Sequence, residues 1–163
     1  MFSLHTRALA QAVLDQARAR GLRIATAESC TGGLVAGALT DIPGSSDVVE
    51  VGYVTYSNAA KTAALGVSAA LITGYGAVSE SVARAMAEGA LAAAGVEMAV
   101  AITGVAGPGG GTADRPVGLV HFAVAKRGGP TLHLEARLGD LGRGQVREAS
   151  VDKALELMLS AMA

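Results

Sequence analysis

Two short apolar runs, each leading the chain into a glycine-bearing loop, constrain this sequence more than any other feature. Leu22–Ala27 runs into Glu28-Ser29-Cys30-Thr31-Gly32-Gly33, and Met98–Thr103 runs into Gly104-Val105-Ala106-Gly107-Pro108-Gly109-Gly110-Gly111. Apolar runs of this length bounded by turn residues read as buried strands, and glycine lets backbone come close to a neighbour. In open α/β sheets, ligands bind beyond the carboxyl ends of the strands. If the two strands are parallel neighbours, both loops line one crevice.

The rest of the chain supplies the layers for such a sheet. Leu9, Ala10, Val13, Leu14 and Ala17 share a helical face opposite Gln11, Asp15 and Arg18, until Gly21 ends it. Leu34–Thr40 resumes a helical pattern, and Asp41–Ser46 is a turn cluster. Val48–Tyr56, rich in β-branched and aromatic residues, predicts a strand. Helices are predicted over Asn58–Leu65, Ser68–Gly74 and Glu80–Ala94, the last stopped by Gly95. Gly118–Ala125 and Thr131–Leu138 flank Lys126-Arg127-Gly128-Gly129-Pro130 as a hairpin, and Arg143–Met162 is a closing helix. Early alternation and a late hairpin predict an α/β fold of three layers around a mixed, mostly parallel sheet. No internal repeat or linker divides residues 1–163, so one domain is expected, of a size that buries about two-thirds of its unfolded surface.

Composition narrows the partners. Hydrophobic residues at 51% against 17% charged exclude a disordered chain. A net charge of −1 offers no basic field for a phosphate backbone, so no nucleic-acid partner is expected. One cysteine permits neither an internal disulfide nor a cysteine-rich zinc site. With aromatics at 3% and 22 glycines, close backbone packing is expected. Met1–Ala10 has no secretory pattern, and no apolar run approaches bilayer length. A cytoplasmic protein without a membrane partner is the expectation.

In the first loop Ser29, Cys30 and Thr31 set three nucleophilic side chains in a row. Gly32-Gly33 then opens a helix, whose free N–H groups can bind a phosphate or stabilise an oxyanion. The same residues suit a plain helix cap, because Ser and Thr are preferred there in any protein. Cys30 is either an alternative nucleophile or inert packing. A serine nucleophile needs a base, and no histidine stands in a predicted loop: His5 is at the first helix, His121 and His133 on late strands. Of the lysines, Lys126 falls at the hairpin tip and Lys153 in the last helix. Lys61 follows Thr55-Tyr56-Ser57-Asn58, where a strand gives way to a helix. Partial burial there would lower its pKa and free a neutral amine to act as base; otherwise Lys61 is a helix-surface lysine. Ser150-Val151-Asp152-Lys153 has Ser-x-x-Lys spacing but no glycine loop beside it, and reads as helix surface. The second loop fits neither the Walker pattern nor Gly-x-Gly-x-x-Gly. It is either an amide cradle for phosphate or a turn. No His, Cys or carboxylate cluster has metal-ligand spacing, so no metal and no cofactor are expected.

Thr26-Ala27-Glu28-Ser29-Cys30-Thr31-Gly32-Gly33 resembles the CinA carboxy-terminal domain family, whose enzymatic members are nicotinamide mononucleotide deamidases (PncC). The resemblance continues through Asp41–Ser46, Val54–Asn58 with Lys61, Gly76–Glu80, Thr103–Pro108 and Pro116–Gly118, covering nearly the whole chain in order. It implies an α/β/α sandwich that forms homo-oligomers. The implied activity is that of a metal-independent Ser/Lys amidohydrolase converting nicotinamide mononucleotide, or a related pyridine nucleotide, to the acid and ammonia. Ser29 would be nucleophile and Lys61 general base, with Tyr56 and Thr103 supporting. Glu28, Thr31, Gly32, Gly33, Gly104 and Gly107 would contribute to substrate binding, and Arg143 or Arg147 would stand near the phosphate. Tyr56 would cover the cationic ring. Many relatives also carry an amino-terminal molybdopterin-binding-like domain, which is not expected in this chain. Relatives commonly have Arg directly after Gly-Asp; here Leu141-Gly142 separates Gly139-Asp140 from Arg143. The rival reading is a non-catalytic nucleotide- or phosphate-binding module that uses the same crevice.

Overall fold

Along the central strands, large and small apolar residues alternate, and this alternation builds two unequal layers. The computed structural model describes Met1–Ala163. In chain order its elements are α1 (Leu4–Ala19), β1 (Ile24–Glu28), α2 (Leu34–Thr40), a 3-10 turn (Ser45–Asp47), β2 (Val49–Val54), α3 (Asn58–Leu65) and α4 (Ala69–Tyr75). There follow α5 (Glu80–Ala94), β3 (Met98–Gly104), β4 (Leu119–Lys126), β5 (Leu132–Arg137) and α6 (Arg143–Met162). Ile24, Met98, Val100, Ile102, Val120, Phe122 and Val124 project to one face and pack with α1, α2 and α6. Ala25, Ala27, Ala99, Ala101, Ala123 and Ala125 project to the other, under α5 and its neighbours. The α/β/α sandwich follows, with its thicker core on the α1/α2/α6 side.

The sheet order is β2-β1-β3-β4-β5. β1 pairs in parallel with β2 and β3, whereas β3–β4 and β4–β5 are antiparallel. Four strands therefore run one way and β4 alone opposes them, but the hydrogen-bonded ladders divide evenly. "Mostly parallel" thus describes strand direction and not the ladders. The parallel neighbours β2, β1 and β3 bring their carboxyl ends to one edge, as the two-loop argument required. No helix is long and apolar enough to cross a membrane.

Three local expectations change. Glu28 closes β1 instead of opening the loop, because it pairs with both Val54 and Ile102 and its carbonyl accepts from Thr55 N–H at 2.9 Å. Lys126 is not at an exposed tip: it ends β4 and donates to Ala161 C=O at 2.7 Å, at the negative end of α6. Ser150 is fully buried and donates back to Val146 C=O at 2.7 Å, so only Lys153 of that pair lies on the surface, paired with Glu156 at 2.8 Å.

The thin alanine layer depends on close approach. A Cβ placed on Gly89, within α5, would lie 2.0 Å from the carbonyl oxygen of Leu65 at the end of α3. Gly89 therefore sets how near the end of α3 can come to α5. Gly89→Ala gains roughly 1 kcal/mol of helix propensity, but the backbone clash it creates belongs with overpacking substitutions that cost about 1–3 kcal/mol or more. The expected outcome is a net destabilisation, seen as a lower thermal midpoint.

Candidate active site

The chain leaves β1 through a tight elbow. Ser29 N–H still donates to Ile102 C=O of β3 at 2.9 Å, and Gly32 N–H turns back to Ser29 C=O at 3.0 Å. Gly32 and Gly33 then adopt left-handed conformations, φ +57° and +99°, which side-chain-bearing residues rarely tolerate. Gly33 provides no side-chain cap for α2. The Glu28 carboxylate does so instead, accepting from Val35 N–H at 2.8 Å and Ala36 N–H at 3.0 Å. Those amides are thus closed to a ligand, and Glu28, fully buried, caps the helix instead of lining the cleft. Cys30 N–H and Thr31 N–H, by contrast, donate to no acceptor in the chain.

Of the three side chains in the elbow, only Ser29 reaches a lysine amine. Cys30 packs into the larger core, and burial pushes its thiol up to about 12; its side chain is packing. Thr31 is fully buried.

Lys61 is 1% exposed, among the most buried large side chains in the molecule. It stands in the first turn of α3, a helix opened by Ser57, whose hydroxyl accepts from Ala60 N–H at 3.0 Å. Its Nζ lies 3.1 Å from Ser29 Oγ and donates to Thr55 C=O at 2.9 Å and Tyr56 C=O at 3.4 Å. No carboxylate forms an ion pair with it. Burial, which disfavours the charged form, lowers its pKa from the ordinary 10.5. A neutral amine has two N–H bonds and one lone pair. With the two carbonyls taking the hydrogens, the lone pair is left for the Ser29 hydroxyl.

The second loop forms the opposite wall. A cleft of about 290 Å³ is lined by Ser29, Cys30, Tyr56, Asn58 and Lys61 on one side and by Thr103–Gly107, Gly109 and Gly110 on the other. The amides of Ala106, Gly107, Gly109, Gly110 and Gly111 donate to nothing in the chain. Thr103 is buried, and its hydroxyl donates to Ala77 C=O at 2.8 Å, fixing a third wall, Ala77-Val78. Arg143 spans the mouth, with Nη1 donating to Gly107 C=O and Nη2 to Tyr56 Oη, both at 2.8 Å. Arg147 sits behind the elbow, donating to Cys30 C=O at 3.1 Å and Thr31 C=O at 3.3 Å. Glu28, Thr31, Gly32, Gly33 and Arg147 shape the elbow without lining the cleft, whereas Ser29, Lys61, Tyr56, Thr103, Gly104, Gly107 and Arg143 meet there.

Sequence reasoning missed Asn58, the Ala77-Val78 wall and Arg115. Arg115 donates through Nε to Val78 C=O at 2.9 Å and through Nη2 to Tyr75 C=O, strapping the second loop to that wall. Asn58 and Ala77-Val78, within the segments that carry the family resemblance, had a signal but were given no role; Arg115, an isolated arginine among turn residues, had none. A larger cleft of about 430 Å³ lies on the far side of Arg147, between the chain start and α6; there the Thr6 hydroxyl donates to Asp152 Oδ1 at 2.6 Å, and no lysine or histidine lines it. No group of three His, Cys, Asp or Glu side chains is placed to hold a metal.

Comparison with known proteins gives a consistent answer. The sequence profile of the CinA C-terminal domain matches residues 6–162. A CinA-like protein of Anaeromyxobacter dehalogenans is 51% identical over 150 residues, 92% of this chain and 36% of that protein. One from Synechococcus sp. is 52% identical over 158 residues, 96% of this chain and 38% of that protein. The chain thus spans a little over a third of the length of these curated relatives. The crystal structure of the competence/damage inducible protein CihA from Agrobacterium tumefaciens superposes with a TM-score of 0.96 at 52% identity, covering 99% of this chain and 98% of that one. A CinA superfamily protein from Klebsiella pneumoniae superposes at 0.91 with 36% identity, covering 96% and 97%. The elbow, the buried lysine and the glycine loop are therefore carried on a shared framework, and the chain belongs to the CinA C-terminal domain family.

Proposed function

We propose that this protein is a Ser/Lys amidohydrolase that converts nicotinamide mononucleotide to nicotinate mononucleotide and ammonia. One observation carries the reading: a buried lysine amine, without a carboxylate partner, 3.1 Å from a serine hydroxyl at the mouth of a cleft. A lysine kept neutral is a base, and a serine beside it is the nucleophile it activates.

Neutral Lys61 accepts the Ser29 proton as Oγ attacks the carboxamide carbon. The carbonyl electron pair moves to oxygen, and the free amides of Cys30 and Thr31 are the donors within the elbow for that oxyanion. Such a donor contributes on the order of 3 kcal/mol in a comparable site. As the tetrahedral centre collapses, the C–N bond breaks and the Lys61 ammonium protonates the leaving nitrogen, releasing ammonia and an ester on Ser29. Water, deprotonated by the again neutral amine, attacks the ester carbon. Lys61 then returns the proton to Ser29 Oγ and nicotinate mononucleotide departs. Arg143 and the open amides of Ala106, Gly107, Gly109, Gly110 and Gly111 supply cationic and N–H donors suited to the substrate phosphate, and Tyr56 suits the face of the pyridinium ring.

Ammonia release from nicotinamide mononucleotide, in chelator, tests this directly. Wild type should turn over, and Ser29→Ala and Lys61→Ala should each lose activity by at least about a thousandfold. Ser29→Ala that binds the nucleotide should leave the product unformed. A folded wild type that binds the nucleotide without turnover would instead establish the binding-module reading.

The pH profile follows from burial of Lys61. Its neutral form is the base, so kcat/KM should rise with pH to a plateau, with its midpoint below the ordinary lysine value of 10.5. Folding is linked in the same direction: between the lowered native pKa and the unfolded value the unfolded chain binds more protons, so Lys61's contribution to stability increases as pH rises through that window. The arginines should separate kinetically. Arg143→Ala should raise KM about tenfold or more with a smaller effect on kcat, and Arg147→Ala, which loosens the elbow, should act chiefly on kcat.

A further inference from the structure

Glu28 stands immediately before the nucleophile, is fully buried, and lines no part of the cleft. Its contacts reach both members of the Ser29–Lys61 pair. Through its side chain, both carboxylate oxygens are used: Oε1 takes Val35 N–H and Oε2 takes Ala36 N–H, with the Thr26 hydroxyl at 3.4 Å from Oε2. These amides are the ones a helix start leaves unpaired, and α2 has no other cap. The carboxylate therefore closes a ring from the end of β1, around the elbow, to the first turn of α2. Through its main chain, Glu28 C=O takes Thr55 N–H, and Thr55 C=O in turn takes Lys61 Nζ.

We propose that Glu28 is the positioning residue of the Ser29–Lys61 pair, its carboxylate fixing the elbow that presents Ser29 and leaves the Cys30 and Thr31 amides open. The inference rests on the amidohydrolase reading. It accounts for a buried anion that touches neither substrate space nor a basic side chain, and it assigns the two halves of the residue different duties. The side chain governs the nucleophile and its oxyanion donors; the main chain governs the base. Glutamine cannot replace glutamate here, because its amide has one acceptor oxygen for two N–H donors and turns its own NH2 group toward the second.

The test is Glu28→Gln, read in two assays. In the first, Ser29 is labelled by a fluorophosphonate, which needs the nucleophile and oxyanion donors but no nucleotide. In the second, kcat, KM and the pH profile are measured with nicotinamide mononucleotide. The expected result is a 10- to 100-fold slower labelling and an equal loss in kcat, the scale of a small misplacement of reacting groups. KM should stay within about twofold, and the pH midpoint should be unmoved, since the main-chain route to Lys61 is intact. Labelling and kcat at the wild-type level, or a loss confined to thermal stability, would overturn the proposal, as would a shifted pH midpoint. If Glu28→Gln does not fold, Thr26→Val deletes only the hydroxyl contact to Oε2. It should then show the same split at a few-fold scale, and wild-type kinetics in that variant would overturn the proposal. Wild type that resists the fluorophosphonate while remaining folded would reject the underlying Ser/Lys reading instead, so the two failures are distinct.

Discussion

An amine buried to 1% exposure with no carboxylate to neutralise it is the constraint on which the rest of this structure depends. A charged ammonium in that position would carry a desolvation cost unmatched by any ion pair. The fold meets this cost by offering only neutral partners: the carbonyls of Thr55 and Tyr56 and the hydroxyl of Ser29. Each comes from the carboxyl end of a strand or the segment just beyond it, so the lysine environment is a consequence of sheet register as much as of α3. Had a glutamate stood within reach, the same burial would have favoured a salt bridge, and the amine would have been held as a cation without a lone pair for the serine.

That environment also requires α3 to pack closely on α5, the helix that covers the alanine face of the sheet. Alanines on the α5 face let helices settle near the strands, and Gly89 lets the end of α3 press against α5. The larger side chains on the other face fill a thicker core, and Cys30 is drawn into it. The elbow therefore sorts its side chains by layer: the thiol goes to the apolar side, where its pKa rises and it is inert, and the hydroxyl of Ser29 goes to the cleft.

Much of this was legible in the sequence, for identifiable reasons. α3 and α5 fall at the predicted boundaries because their starts and stops are set by local capping chemistry, Ser57 and Ser79 at the start and Gly66 and Gly95 at the end. The pairing of Ser29 with Lys61 was open from spacing alone, since 32 positions separate them and only the β1–β2 register brings them together. What the sequence could not disclose was direction of side-chain contact across long separations. Glu28 looks like a loop residue facing a ligand until its pairing with Val54 and Ile102 puts it in the strand and turns its carboxylate to α2. Arg115 and the Ala77-Val78 wall depend on contacts between segments that share no periodicity.

The two arginines of α6 show how one helix can govern both loops. Leu141-Gly142 delays the helix so that Arg143 is its first residue, entered through Gly142 at φ +92°. Arg147 follows one turn later on the same face, the spacing that makes helical neighbours. From these adjacent positions Arg143 holds Gly107 and Tyr56 across the cleft mouth, and Arg147 holds the carbonyls of Cys30 and Thr31 from behind. The loops leave parallel neighbouring strands, but strand pairing fixes only their roots. Their tips are set relative to one another by a single rigid element gripping each. Lengthening or shortening the segment before α6 would rotate both guanidinium groups together about the helix axis. The elbow and the glycine loop are therefore constrained to vary as a unit, through the fixed Arg143–Arg147 spacing.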